Sequence, residues 1–313
     1  MLVRYILSRV AQLGVVLFLV SLIIFSIMHA LPGDPVQLML SGAESGSVTP
    51  ERQEELRAQL GLNDPLPVQY FRFLRGAVTG DLGTSVRLRS PVLDLIADRL
   101  ASTLALSLGG ILFAIVIGVS AGMLAALRQG TWIDTLSMFL AYLGVSMPLF
   151  WLGLLLILVF SLQLGWFPPA GQEGVRSLVL PSLSLGLISA GVIARLTRAS
   201  LVEVLVEDYM RTARAKGLPK RIIYFRHALR NAFLPVLTIL GLQFGTMLAG
   251  AVVTETVFSR PGLGRLVVSA ILWQDYPLVQ GIVLFMATMY VVVNLSVDIV
   301  AAWMDPRIRE GLS

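Results

Sequence analysis

The sequence predicts an all-α membrane protein with six transmembrane helices, on three observations. Of its 313 residues, 56% are hydrophobic and only 14% charged, against about 25% charged in soluble domains. Six uncharged windows meet or approach the roughly 20 apolar residues that a helical span needs: 10–33, 100–127, 135–172, 177–194, 231–254 and 276–297. Basic residues cluster on alternate connections, as the positive-inside rule requires of a polytopic chain.

The first window follows Arg4 and Arg9 and has no small-residue cleavage pattern after it, only His-Ala-Leu-Pro-Gly-Asp-Pro, so it reads as a retained span and not a signal peptide. Residues 34–99 form a mixed-charge segment reading as a small outer cap. Its Pro50–Leu60 stretch reads as an amphipathic helix, with Thr49 as N-cap, Pro50 first and Gly61 as the stop. The third window is long but reads as one span ending near Leu164, with Gly165-Trp166-Phe167-Pro168-Pro169 as an interfacial aromatic anchor and helix breaker. The fourth is the shortest and reaches full length if Arg176 or Arg195 snorkels. With the N-terminus inside, 14 of the 24 Lys and Arg fall on inner segments, and seven of the other ten lie in the long 34–99 loop, which counts weakly. Both termini are therefore expected in the cytoplasm.

Several chemistries are absent from the sequence. There is no cysteine, hence no disulfide, thiolate metal site or cysteine nucleophile. The two histidines, His29 and His227, are isolated; His29 reads as an interfacial or packing residue, His227 as solvated or at a contact, and no metal or catalytic site is expected. No G-x-x-x-x-G-K-[ST] phosphate loop occurs, so the chain lacks a recognisable ATPase. The windows contain no Asp, Glu, Lys or Arg, Asp134 and Asp298 standing at span ends, which leaves an ion-coupled carrier short of relay groups. Gly118-Val119-Ser120-Ala121-Gly122 matches the G-x-S-x-G nucleophile elbow of serine hydrolases, but it falls mid-span, where no strand-to-helix turn is expected. The same residues, and Gly241 to Gly245, read better as G-x-x-x-G helix packing, within the chain or against a partner. The net charge of +5 reads as basic cytoplasmic loops and not as a nucleic-acid surface.

The remaining feature is residues 203–235, which with Arg195 and Arg198 hold nine Lys and Arg, including both lysines of the chain. Glu203–Lys216 is expected to be helical, with Leu205, Val206, Tyr209 and Met210 as its apolar stripe and acids preceding bases along the dipole. Gly217 is the expected left-handed cap and Pro219 opens a second helix, Lys220–Asn231, with Ile222, Ile223, Phe225 and Leu229 on its apolar side. Residue chemistry alone fits two readings: a docking elbow, with Ala213 and Ala215 thin enough to enter a groove, or a basic amphipathic loop held by anionic lipid.

The wording DYMRTARAKGLPKR…RHALRNAFLPV resembles the coupling loop of bacterial ABC importer permeases, specifically the dipeptide/oligopeptide/nickel family. Further blocks are similar to that family and stand in its order: Leu31–Pro35, Gly80–Ser85, Glu255–Gly264, Asp275–Pro277 and Asp305–Arg307. Arg211 and Thr212 replace the first two residues of the general Glu-Ala-Ala pattern, whereas Ala213 and Gly217 match; the peptide branch shares these departures. The resemblance implies a type I ABC importer permease fold, with segments at 1–33, 34–99 (cap), 95–303 (core, with the 203–235 loop) and 304–313 (tail). It implies a multi-pass protein of a bacterial or archaeal plasma membrane that pairs with a second, similar permease. Two cytoplasmic ATPases would bind below, holding ATP and Mg, so that no cofactor is expected in this chain. A solute-binding protein would dock above, on the 34–99 cap and the 255–275 loop. The solute would be a di- or oligopeptide, with nickel chelate or glutathione as alternatives inside the class. The contact with the ATPases would fall on Arg211, Thr212, Ala213, Arg214, Ala215, Lys216, Gly217, Leu218 and Pro219, with Ala213 entering the groove. Glu255, Pro261, Gly262 and Gly264 would form an outer turn near the pathway.

Overall fold

The computed structural model describes residues 2–30, 54, 57–58 and 63–304. The Thr49–Gly61 helix as a whole, and the Leu31–Pro35 and Asp305–Arg307 blocks, lie outside that range; Glu54, Arg57 and Ala58 are helical. Among the described residues the chain is helical, with one isolated bridge between Thr84 and Pro91. The helices are α1 (Leu2–Ala30), α2 (Leu66–Thr79), α3 (Val92–Leu127), α4 (Trp132–Ser146), α5 (Leu149–Leu156), α6 (Arg176–Leu205), α7 (Asp208–Ala215), α8 (Leu229–Val257), α9 (Leu263–Leu272) and α10 (Tyr276–Met304). Five are long and apolar enough to cross a membrane, and the α4–α5 pair supplies a sixth span if it counts as one. At 36 residues, α3 is about 54 Å long at 1.5 Å per residue, well beyond a bilayer core of about 30 Å.

The chain divides into two compact units: Met1–Ala101 with Gly262–Val292, and Ser102–Pro261 with Val293–Ser313. In the first, α2 lies on α1. Tyr70 meets the edge of Phe25 at 5.3 Å between ring centroids, and its hydroxyl is 2.9 Å from Ser21 Oγ. α2 is a helix of the 34–99 segment beyond the expected Pro50–Leu60 stretch, with Pro67 at its start and Gly80 in the left-handed conformation after it as ordinary helix punctuation. His29 has an oxygen beside each ring nitrogen, the Phe25 carbonyl 2.8 Å from Nδ1 and Gln69 Oε1 3.1 Å from Nε2.

The second unit is built on α6. Leu106, Ala114, Leu185, Ile193, Val236, Met247 and Ala251 form its central apolar cluster. Gly118 and Gly122 of α3 lie against α6: a Cβ on Gly118 would stand 2.8 Å from the Ala190 carbonyl, and one on Gly122 would run into the Ala194 carbonyl. These small residues permit backbone contact. Ser120 is mid-helix in α3, with no strand-to-helix turn, so the nucleophile-elbow reading fails. Gly241 of α8 faces Val297 of α10, and Gly245 is buried.

The third apolar window is not one straight span. Its two helices meet at 110°, because Pro148 supplies no N–H and holds Met147 extended (φ −81°, ψ 134°). The second half continues from α5 as a π-helix, Ile157–Gln163, and ends where Gly165 turns (φ +65°) and Trp166 bonds back to Phe160 at 2.9 Å.

Candidate coupling elbow and outer elements

The basic segment folds as an elbow, with two departures from the expected pair of helices. The first expected helix is broken. Glu203–Leu205 end α6, Glu207 is extended (φ −60°, ψ 149°), and α7 starts afresh at Asp208, with that carboxylate on its positive end. Val206, expected on the apolar stripe, is 66% exposed at the break. The second expected helix does not stop at Asn231. A helical turn at Lys220–Ile222 passes into a π-helix over Ile223–Ala228 and then into α8 without interruption, Pro235 being accommodated inside α8. The wider π turn buries Ile223 and Ala228 and leaves Phe225 57% exposed.

Between the two, α7 ends in a Schellman arrangement. The Gly217 N–H donates to the Arg214 carbonyl at 3.0 Å and the Leu218 N–H to the Ala213 carbonyl at 3.4 Å. Gly217 has φ +71°, where an L side chain is strained. Pro219 then caps the following turn. Met210 and Ala213 share one face of α7 and pack with Leu201, Ile223 and Ala228. Ala213 is the residue expected to enter a partner's groove. The i, i+3 spacing that aligns it with Met210 turns it instead towards the chain's own core. The outward side carries Arg211, Thr212, Arg214, Ala215 and Lys216, with Gly217 and Pro219 also exposed and Leu218 half-buried. Arg214 Nη2 donates to the Leu205 carbonyl at 3.1 Å, tying the end of α7 to the end of α6. Asn231 Nδ2 donates to the Tyr209 hydroxyl at 2.9 Å, tying α7 to α8. α7 is thus pinned at both ends onto the helices that flank it.

Charged groups excluded from the apolar windows stand inside the helices. Asp134, 5% exposed, accepts from Arg198 Nε at 2.6 Å, Arg198 Nη2 at 2.7 Å and the Gly130 N–H at 3.0 Å, a bidentate pair between α4 and α6. Glu255, expected in an outer turn, lies in the last turn of α8, is fully buried and accepts from Thr103 Oγ1 at 2.6 Å. A hydroxyl partner is what lets that helix carry a carboxylate. Ser259 (φ +49°) closes a second Schellman turn through Arg260 N–H to the Glu255 carbonyl at 2.8 Å. Arg260 is 4% exposed, and its Nε and Nη1 have no hydrogen-bond partner among the described residues. Burial pushes its guanidinium below the ordinary value, with Glu255 opposing. The expected outer turn is also shorter than thought: Pro261 is half-buried, Gly262 is the N-cap of α9 and Gly264 is helical.

In the first unit the Gly80–Ser85 and Asp275–Pro277 blocks come together. Ser85 Oγ donates to Asp275 Oδ2 at 2.5 Å, and the Arg87 N–H donates to the same oxygen at 3.0 Å. Oδ1 accepts from the Leu278 N–H at 3.2 Å, so Asp275 also caps α10. An aspartate directly before the apolar helix that starts at Tyr276 is a legible cap signal; Ser85 as its partner is not.

Apolar helices of membrane-spanning length, a basic elbow between two of them and one buried ion pair, Asp134–Arg198, define a polytopic membrane protein. A family model described as "Binding-protein-dependent transport system inner membrane component" matches residues 118–310, and its N-terminal companion matches residues 1–107. The chain belongs to this family. It is 41% identical to the dipeptide transport system permease protein DppB of Alkalihalophilus pseudofirmus, over 97% of this chain and 99% of the relative. It is 45% identical to the glutathione transport system permease protein GsiC of Escherichia coli K12, over 98% and 99%. Among solved structures, a chain of the methionine ABC transporter MetNI in an inward-facing form has the same fold, with a TM-score of 0.58 at 17% identity, covering 67% of this chain and 96% of that one. The chain is accordingly the permease component of an ABC importer of type I architecture.

Proposed function

We propose that this permease passes di- or oligopeptides through the membrane, and that partner ATPases drive it through the outward side of α7. The carrying observation is the two-sidedness of α7. Met210 and Ala213 fix it to the chain's core, while Arg211, Thr212, Arg214, Ala215 and Lys216 stay open to a partner. A helix pinned by Arg214 to α6 and by Tyr209 to α8 transmits a push to both. ATP and Mg belong to the ATPases, a second permease completes the pathway, and a solute-binding protein delivers the solute from the other face. The basic charge of the elbow supports a cytoplasmic position for that side and for both termini.

The peptide assignment rests on the near full-length similarity to the dipeptide permease. Glutathione is the second reading, favoured by the 45% identity to the glutathione permease. Reconstituting the chain with its partner subunits and binding protein in proteoliposomes tests both. ATP-dependent uptake of a labelled dipeptide supports the first reading, and of glutathione alone the second. Gradient-driven uptake by the chain without ATPases contradicts the proposal.

A further inference from the structure

The cation left over beside the Asp134–Arg198 pair defines a second site. Asp134 is fully engaged by the two Arg198 nitrogens and the Gly130 N–H. Arg195, one turn from Arg198 on α6, makes no hydrogen bond or ion pair with that carboxylate, and no acid among the described residues pairs with it. Its guanidinium carbon instead lies 4.9 Å from the centroid of the Tyr142 ring, a cation–π contact that uses none of its N–H donors. The two arginines, Asp134, Thr135, Met138 and Tyr142 line one cavity of about 340 Å³.

Depth in the membrane says what fits there. The uncharged run 177–194 is about one bilayer core in length, so Arg195 stands where hydrocarbon gives way to headgroups, on the side of the basic elbow. Trp132, 72% exposed at the start of α4, is an interfacial anchor by type and place. Deeper along α4, Leu136, Phe139 and Leu140 are 45%, 57% and 57% exposed, an apolar face of the same helix open to acyl chains. A cation with free donors, an aromatic rim and an apolar helix face match an anionic headgroup with its acyl chains.

We propose that Arg195, positioned by Tyr142, binds the phosphate of an anionic phospholipid, with α4 as the acyl-chain track. The site is separate from the α7 surface and holds a lipid at the α4–α6 joint, whichever solute is carried.

The test uses the assembled importer, purified from membranes in mild detergent, with co-purifying lipids quantified by mass spectrometry. Wild type should retain phosphatidylglycerol over phosphatidylethanolamine, R195Q should retain about fivefold less of it, and R195K should fall between. Equal phosphatidylglycerol retention in wild type and R195Q overturns the proposal. So does unchanged lipid with a raised KM for solute uptake, which assigns Arg195 to a solute carboxylate. If R195Q does not assemble, brominated lipids decide with wild type and W132F. Stronger Trp132 quenching by brominated phosphatidylglycerol than by brominated phosphatidylcholine supports the site, and equal quenching overturns it.

Discussion

Gly217 has no heavy atom within 4 Å of where a Cβ would be, yet its φ is +71°. A substitution there acts through backbone strain of about 1–2 kcal/mol and not through a clash. G217V should therefore assemble in the membrane at near wild-type level while uptake and ATPase stimulation fall severalfold, with G217N milder; transport and ATPase assays on the same preparations check this. Gly122 is the opposite case, with a carbonyl where its side chain would go. G122V should reduce accumulation in the membrane, measured by immunoblot, whereas G14V, with open space around it, should not. Asp275 is 1% exposed and accepts three hydrogen bonds. D275A orphans their donors and should cost about 3 kcal/mol, read as a lower Tm of the detergent-solubilised protein; S85A should cost about 1 kcal/mol. The glycines were legible because chain punctuation and G-x-x-x-G spacing are local signals. The partners Ser85–Asp275, Thr103–Glu255 and Asp134–Arg198 were not, since each joins residues far apart in sequence that only packing brings together.

At the scale of elements, apolar length located the helices well and composition located their ends poorly. The windows stop where charge begins, but the helices do not: α6 runs on through Arg195 and Arg198, and α8 carries Glu255 inside its last turn. Hydrophobicity reports what lipid tolerates, while helix length follows backbone hydrogen bonding, and a neutralised charge satisfies both. The bend at Pro148 was legible in type but not in size; a proline inside an apolar run announces a break, and the 110° angle follows from Met147 being extended. The elbow shows the same division. Gly217 and Pro219 mark its turn, whereas the break at Glu207 and the π-helix over Ile223–Ala228 carry no composition signal. The register of α7 makes its own prediction. A213W places a large ring in the Met210–Leu201–Ile223 cluster and should destabilise the folded chain, lowering its Tm. T212W, on the exposed side, should leave Tm unchanged while lowering ATP-driven uptake.

For the whole molecule, the family match and the fold shared with an ABC importer permease give the class, and the chain adds an exposed helix, α7, pinned to two long ones. On the proposed reading, energy enters through the outward side of α7, where Arg211, Thr212, Arg214, Ala215 and Lys216 are exposed. With no native cysteine, single cysteines report position without background. The most direct measurement places one cysteine at a time at Arg211, Thr212, Ala213 and Ala215 in the reconstituted importer and cross-links to the ATPase subunits. Cross-links at Arg211, Thr212 and Ala215 that change yield with ATP, and none at Ala213, are the predicted result. Cross-linking from Ala213 alone, or none from α7 with the complex intact, would contradict the account.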